Sequence, residues 1–514
     1  MADAFPLVRN TAALKNRRFD LLVIGGGIYG AWTAYDAARR GLSVALIEKN
    51  DWASGTSSAS SKLIHGGLRY LEHFEFALVR HALTERRVLA KLAPHLVRPL
   101  NFVLPLWKGA RAGPLKLSAG LFLYDLMGLG RQPVQRHKHF RRERLLKRYP
   151  FLAPDGLKSG FRYGDCQEDD ARLCLNVVAA AQGAGVVTAN RVEAVALIEG
   201  EGRIHGAKVR DTETGECWDL GAAVTVTAAG PWTPQLLGRA SPKVKLVKGT
   251  HLVLPAIPDC QSAFLLTAPQ DGRVFFVIPW YGRTLLGTTE STVSAAEVAQ
   301  PNDSEAQYLL AAASAWLPGV KWTHDDVIAR FSGVRALQAQ ATENLAAVTR
   351  EFVIETPRAG LIAPIGGKYT TARADAALIV DAVQHSLGRV PTPCMTDRQP
   401  LPGGAGAQAE ILRDALVAAG VDAEAASWCW QRHGGRCSRL LELLKEHPAW
   451  GQRLHPELGF IEAEVVLAVR DEGARSLEDI TRRRIPLAIL AREDCSEKIS
   501  RVLARAGSAL PARL

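Results

Sequence analysis

The chain of 514 residues exceeds the size at which one hydrophobic core keeps growing, which predicts about two or three domains. Apolar residues make up 47% and charged residues 22%, ordinary soluble usage that excludes extensive disorder and a polytopic membrane protein. Lys and Arg total 63 against 52 for Asp and Glu, a formal charge of +11 that favours anionic partners: phosphorylated metabolites, acidic lipid or nucleic acid.

The eight cysteines are scattered without a CxxC pair, so reduced cytosolic thiols are the expectation. The N-terminal stretch lacks the apolar core of a secretion signal and runs directly into a strand. No apolar run reaches the roughly 20 residues of a spanning helix, and the nearest, LSAGLFLYDLMGLG at 117–130, contains Asp125. Membrane contact, if made, is therefore expected to be peripheral.

Phe19 to Ile24 reads as a buried parallel strand and enters GGGIYG, in which Gly25, Gly27 and Gly30 hold the three glycine positions of GxGxxG. These glycines permit a tight turn and close approach to a pyrophosphate. AWTAYDAARRG follows with helical spacing, its positive N-terminal end facing the phosphates, and Gly41 stops it. The next strand, LSVALIE, ends in Glu48, about 20 positions on, where an acid accepts from a ribose hydroxyl and disfavours a 2′-phosphate. This predicts a doubly wound α/β sheet binding a dinucleotide, and leaves NAD and FAD both open.

A NAD-binding domain would normally continue into another strand and helix, whereas this chain runs into KNDWASGTSSASSKLIHGGLRYLEH. The hydroxyl-rich loop can wrap pyrophosphate and ribityl groups, and Gly66-Gly67 would let backbone lie against a flat ring. The same stretch also reads as a surface loop with two turn glycines. Arg69 offers a planar fork suited to a phosphate dianion.

Further along, Lys108, Arg111 and Lys116 precede LSAGLFLYDLMGLG, and RHKHFRRERLLKRYPFL follows at 136–152. Cations flanking exposed apolar residues have the composition of a segment lying on an anionic bilayer, and equally of a solvated helix packed on the core. AAGPW ends an apolar run at 228–232, His251 stands in KGTHLV, and Arg335 closes FSGVR after a small-residue turn. IGGKYTTAR at 365–373 places a glycine pair before a helix, where N–H donors can meet a ligand, with Lys368 beside them. LPGGAGAQAE at 401–410 is a hinge, after which helical patterns predict a separate domain. Cys429, His433 and Cys437 are spaced for one helix and supply only three ligands, so core packing is expected and no metal.

GGGIYG, SSASSKLIHGGLRYLEH, YGDCQEDDAR, AAGPW, KGTHLV, IPWYGRTLLGTTE, FSGVR and IGGKYTTAR together resemble the FAD-dependent, membrane-associated glycerol-3-phosphate dehydrogenases. The resemblance runs over nearly the whole chain, in the family's order. It implies a glutathione-reductase-like FAD domain in three segments, about 15–110, 150–240 and 350–385. These would be interleaved with a mixed-sheet substrate domain from about 111–149 and 241–349, and followed by a helical cap over 401–514. RDEGARSLEDITRRRIPLAI at 470–489 matches the family's cap.

The resemblance also assigns roles. Gly25, Gly27, Gly30, Glu48, Thr56, Ser57, Ser58, Ser60, Lys62, His65, Gly66 and Gly67 would bind FAD, joined by Ala229, Gly230, Trp232, Gly366, Gly367, Lys368 and Thr370. Arg69, Tyr70, Arg335 and Lys368 would hold sn-glycerol 3-phosphate. His251, Arg335 and Lys368 would act on its C2 hydroxyl as hydride passes to FAD, yielding dihydroxyacetone phosphate. Electrons would go on to a membrane quinone, from a protein that is peripheral on the inner face of the plasma membrane. An oxygen-using glycerol-3-phosphate oxidase, or a related oxidase of amino or hydroxy acids, is the alternative. No nucleic-acid partner is implied, and a homodimer stays open. Tyr29, Glu290, Ala336 and Ala372 depart from the residues the family commonly carries, Asn, Asp, Pro and Tyr respectively.

Overall fold

The computed structural model describes residues 7–510 apart from 111, 129, 131, 239–243, 298, 339–351, 406–407 and 509, together with all side chains of those residues except Arg69 and His73. Two of the expected contacts, those of Arg111 and of the Arg69 side chain, thus lie outside the described residues.

The first strand, Arg18–Ile24 (β1), leads into the helix Ile28–Arg39 (α1) and the strand Val44–Glu48 (β2). β1 pairs in parallel with β2 on one side and with Cys217–Thr227 on the other. Val187–Asn190 continues the parallel array beyond β2, and Leu361–Ile365 continues it beyond Cys217–Thr227. Leu21, Leu22 and Val23 are fully buried, as a run covered on both faces requires. Parallel pairing brings the carboxyl ends of these strands to one edge, where doubly wound sheets bind their ligands.

A second sheet has ten strands among the described residues. Its centre is antiparallel: Val244–Pro255 lies between Arg283–Gly287 and Ala329–Gln338. His251 faces Phe331 and Val247 faces Arg335 across the ladder. The two-residue period of a strand therefore sets His251, Gly249, Gly333 and Arg335 on one face.

Sheet membership departs from the expected segments at three strands, of which the short Leu63–Ile64 pairs with Leu157–Gln167 in the second sheet. Arg98–Trp107 and Leu157–Gln167, both within stretches assigned to the FAD domain, pair with each other over their whole length and belong to the second sheet. Their mutual antiparallel register, from Arg98 opposite Gln167 to Trp107 opposite Leu157, outweighs their place in the chain.

Beyond residue 401 the chain is mainly helical, with helices Ala409–Ala418, Ala423–His433, Cys437–Glu446, Glu462–Arg470 and Ser496–Arg505. This cap is bolted on by apolar and ionic contacts. Trp428 and Phe460 stand 5.3 and 5.7 Å from the Tyr281 ring of the second sheet. Glu472 accepts from Arg172 at 2.5 and 2.8 Å and from Arg436 at 2.8 Å, all three side chains being buried. Asp51 of the first domain accepts from Arg483 at 2.5 Å and from Arg484. His433 bonds Glu464 at 2.8 Å and accepts from Arg172 at 3.1 Å, while Cys429 and Cys437 lie in the cap's apolar core.

Candidate active site

A cavity of about 540 Å³ opens at the carboxyl edge of the parallel sheet and extends to the His251 face of the second sheet. At its nucleotide end Gly25 and Gly27 line the wall, whereas Gly30 lies behind it: a Cβ on Gly30 would collide with the Gly25 carbonyl oxygen. Gly30 therefore serves helix–strand packing and not the ligand surface. Glu48 caps this end. Its carboxylate accepts from the Gly26 N–H at 2.7 Å and the Asn50 N–H at 2.8 Å, and burial pushes it up from the usual carboxylate range. Two oxygens carry about four acceptor sites, so a ribose hydroxyl still finds one.

The hydroxyl-rich loop is held by its own side chains. Ser57 Oγ accepts from the Ile28 N–H at 2.9 Å, tying the loop to the start of α1. Thr56 donates to the Val334 carbonyl at 2.5 Å, and the Ser60 N–H donates to Asp170 at 2.9 Å. Thr56, Ser57, Ser60 and His65 line the cavity, with Ser61 and Leu63 between them. Thr370 lines it too and accepts from the His65 N–H at 3.2 Å. Ala229, Gly230 and Trp232 form a further wall, where Lys49 lies 4.2 Å over the Trp232 ring.

At the opposite end stand the groups able to do chemistry. The His251 imidazole is buried, stacks on Phe331 at 5.0 Å and is bonded through Nε2 to Ser61 Oγ at 2.9 Å. Burial above all, then the charges of Arg335 and Lys62, holds it down to about 3, so it is neutral near pH 7. Its Nδ1 has no hydrogen-bond partner among the described residues. Arg335 Nη1 donates to Glu290 at 3.3 Å, and the bare backbone at Gly249 makes room for its guanidinium. Gly366 and Gly367, both left-handed at φ 77° and 83°, turn the chain so that Lys368 enters the cavity wall, its Nζ 3.5 Å over the Tyr70 ring.

Several expected site residues do not reach the cavity. Lys62 turns inward, its Nζ donating to Asp170 Oδ1 at 2.7 Å and to the Ser58 carbonyl at 2.7 Å, and it packs against Trp280 and Phe331. Ser58 is engaged in that contact. Gly66 meets a protein ring where a flavin was expected: its N–H donates to Tyr124 Oη at 3.0 Å and to Asp165 at 3.2 Å. Gly67, left-handed at φ 75°, faces the Tyr70 ring, and Tyr70 itself is buried behind Lys368.

Sequence reading passed over Asp170. This carboxylate receives Lys62 and the Ser60 N–H together and so shapes the whole loop. Its place in YGDCQEDDAR was visible, but its partner 108 residues earlier was not.

A cavity that pairs a glycine loop, a ribose-facing acid and a hydroxyl-rich wall with a neutral imidazole and two cations fits a flavin dinucleotide and an anionic substrate. Residues 20–373 match the family described as FAD dependent oxidoreductase, and residues 394–511 match the C-terminal domain of alpha-glycerophosphate oxidase. A glycerol-3-phosphate dehydrogenase of Synechocystis is 36% identical over 509 residues, covering 95% of this chain and 92% of the relative. A D-erythritol 1-phosphate dehydrogenase of Brucella abortus is 39% identical over 483 residues, covering 90% and 93%. The glycerol-3-phosphate dehydrogenase of Bacillus halodurans, solved in complex with FAD, superposes with a TM-score of 0.77 at 28% identity over 96% of this chain and 91% of that one. The glutathione-reductase-like fold, the mixed sheets and the helical cap expected from the sequence are thereby shown, and FAD is the cofactor. The chain belongs to the family of FAD-dependent glycerol-3-phosphate dehydrogenases.

Proposed function

We propose that this enzyme oxidises sn-glycerol 3-phosphate to dihydroxyacetone phosphate and passes the electrons to a membrane quinone. The observation that carries the reading is the convergence of His251, Arg335 and Lys368 on one cavity that also contains the nucleotide loop. Arg335 and Lys368 offer cationic donors for a phosphate, Arg335 as a planar fork and Lys368 as a point charge. His251, neutral and stacked, keeps one unprotonated nitrogen to accept a hydrogen bond from the C2 hydroxyl, and the neighbouring cations help the proton leave as the alkoxide develops. The same cations stabilise the alkoxide that develops there. Bound FAD supplies the acceptor for the hydride leaving C2. Gly25, Gly27, Glu48, Thr56, Ser57, Gly366, Gly367 and Thr370 would hold it.

The acceptor side is read from the surface. Leu115, Phe74 and Phe122 are 88%, 77% and 63% exposed, with Phe76 and Leu126 exposed beside them. They belong to the helices Phe76–Leu92 and Pro114–Met127 and to the turn at Phe74, next to the stretch that carries Tyr70. No helix among the described residues is long and apolar enough to cross a membrane. An apolar surface of this kind, with the cations of Lys108 and Lys116 nearby in sequence, suits peripheral contact with an anionic bilayer, from which a quinone would approach.

A second reading concerns the length of the polyol. The erythritol-phosphate relative shares the phosphate end of such a substrate and differs by one carbon, and this chain is as similar to it as to the glycerol-phosphate enzymes. Anaerobic addition of each phosphate to the purified yellow protein decides between them. Bleaching of the flavin by glycerol 3-phosphate, with glycerol and amino acids inert, supports the main reading. Faster bleaching by D-erythritol 1-phosphate moves the assignment. Hydrogen peroxide released on readmitting air, at the rate of substrate oxidation, would make the enzyme an oxidase.

A further inference from the structure

Tyr29 occupies the second residue of α1, immediately after the nucleotide loop. Its phenol crosses to the other glycine turn. Tyr29 Oη donates to Asp375 Oδ2 at 2.6 Å and reaches the Lys368 carbonyl at 3.3 Å. Asp375 is buried and accepts from Thr371 Oγ1 at 2.7 Å as well, so the phenol and the threonine share one carboxylate at the base of the turn. The ring stacks on Phe352 at 5.7 Å and 22°, and a Cβ on Gly367 would fall on the hydroxyl. Tyr29 lines the same cavity as Gly366, Gly367 and Lys368.

These contacts join two parts of the cavity wall, through partners 339 and 346 residues apart in the chain. One part, α1, would present its N-terminus to the pyrophosphate of bound FAD; the other, the turn 366–368, leads to the helix Ala372–Ser386. We propose that Tyr29 is a positioning residue for the cofactor: its hydroxyl sets where the Gly366–Gly367–Lys368 turn stands against bound FAD. Through the Lys368 carbonyl it also fixes the backbone from which the Lys368 side chain reaches over Tyr70. A hydrogen bond to a buried carboxylate is directional and strong enough for this, whereas the stacking on Phe352 fixes only the plane of the ring.

The inference rests on the reading of the cavity as an FAD site, and its test is FAD binding and flavin potential in the full chain. Tyr29→Phe keeps the ring and its stacking and removes only the hydroxyl. It is expected to raise the FAD dissociation constant by about tenfold or more, and to shift the flavin midpoint potential. Asp375→Asn, whose amide oxygen still accepts from the phenol, is expected to stay close to the wild type in both measurements. The double variant is expected to match Tyr29→Phe, because the amide adds no loss of its own. Wild-type affinity and potential in Tyr29→Phe, even with lowered thermal stability, would leave the residue a structural one and overturn the proposal. Equal losses in Asp375→Asn with Tyr29 intact would overturn it too, transferring the effect to the carboxylate charge. A wild-type chain that takes up no FAD would defeat the cavity reading itself, an outcome distinct from both.

Discussion

Lys62 Nζ lies 2.7 Å from Asp170 Oδ1, with 2% and 1% of the two side chains exposed. A buried ion pair of this kind makes little net contribution to stability, yet removing one partner strands the other's charge. Lys62→Ala should therefore destabilise the protein by roughly 3–5 kcal/mol, and also loosen the hydroxyl loop, because Asp170 holds the Ser60 N–H. Chemical denaturation of the variant checks the first expectation. The second is read as weaker FAD retention. A Lys62→Ala protein of unchanged stability would show that water or rearranged side chains already satisfy Asp170.

Arg335 tests the substrate end separately. Its guanidinium lies on the His251 face of the second sheet and bonds Glu290 at 3.3 Å, whereas the Gly25–Gly27 loop follows β1 of the parallel sheet. The Arg335 side chain is 23% exposed, and Arg335→Ala should leave the visible flavin spectrum intact and lower kcat/KM for glycerol 3-phosphate by about 2–5 kcal/mol in transition-state terms if bound substrate buries the charge contact. Arg335→Lys should recover only part of that loss, since an ammonium cannot form the planar fork. Normal kinetics in a fully flavinated Arg335→Ala enzyme would remove this residue from the site.

These two cations show what could be read from the sequence. The strand, glycine loop, helix and terminal acid of β1–α1–β2 obey local rules, so their periodicity and spacing were enough to place Gly25, Gly27 and Glu48. The separate helical domain was equally legible from the Pro/Gly/Ala hinge at 401–410. Side-chain direction was not. Lys62 lies within the same motif as Ser60 and His65, yet a partner 108 residues away turns it from the cavity into the protein. Gly66 likewise answers to Tyr124, 58 residues on, and the strands Arg98–Trp107 and Leu157–Gln167 answer to each other. Each of these outcomes was decided by a long-range pairing that no local window contains.

His251 should be indifferent to pH over the ordinary working range. Because burial, Arg335 and Lys62 hold the imidazole down to about 3, it stays neutral, with an unprotonated ring nitrogen, at about pH 5 to 8. Any acid limb of kcat/KM in that range must then come from another group, such as the second ionisation of the substrate phosphate, which falls near pH 6 in phosphomonoesters. His251→Asn should lower kcat by about 10²–10⁴-fold with FAD still bound, the usual contribution of a positioned acid–base group. A variant retaining wild-type kcat would assign the proton to another acceptor.

His95 should make the fold acid-sensitive. It is buried near the cap turn at Gly403 and Gly434, and neither ring nitrogen has a hydrogen-bond partner among the described residues. Burial chiefly, then the charges of Arg172, Arg436 and Arg98, holds it down to about 3, against about 6.5 in an unfolded chain. As pH falls below about 6.5 the unfolded chain binds this proton and the native protein does not. Stability contributed by the neutral ring is thus complete above about pH 6.5 and is lost progressively toward about pH 3, with a slope approaching 1.4 kcal/mol per pH unit for each such group. His251 adds to the same slope, so the sum alone does not single out His95. His95→Leu removes one titrating group without adding a charge. Urea denaturation at a series of pH values should show a shallower fall between pH 6.5 and about pH 4.5 in His95→Leu than in the wild type, whatever its stability at neutral pH. An identical pH slope in the two proteins would mean that His95 is protonated equally in the folded and unfolded states, and that its pocket admits a counter-charge or water when the ring ionises.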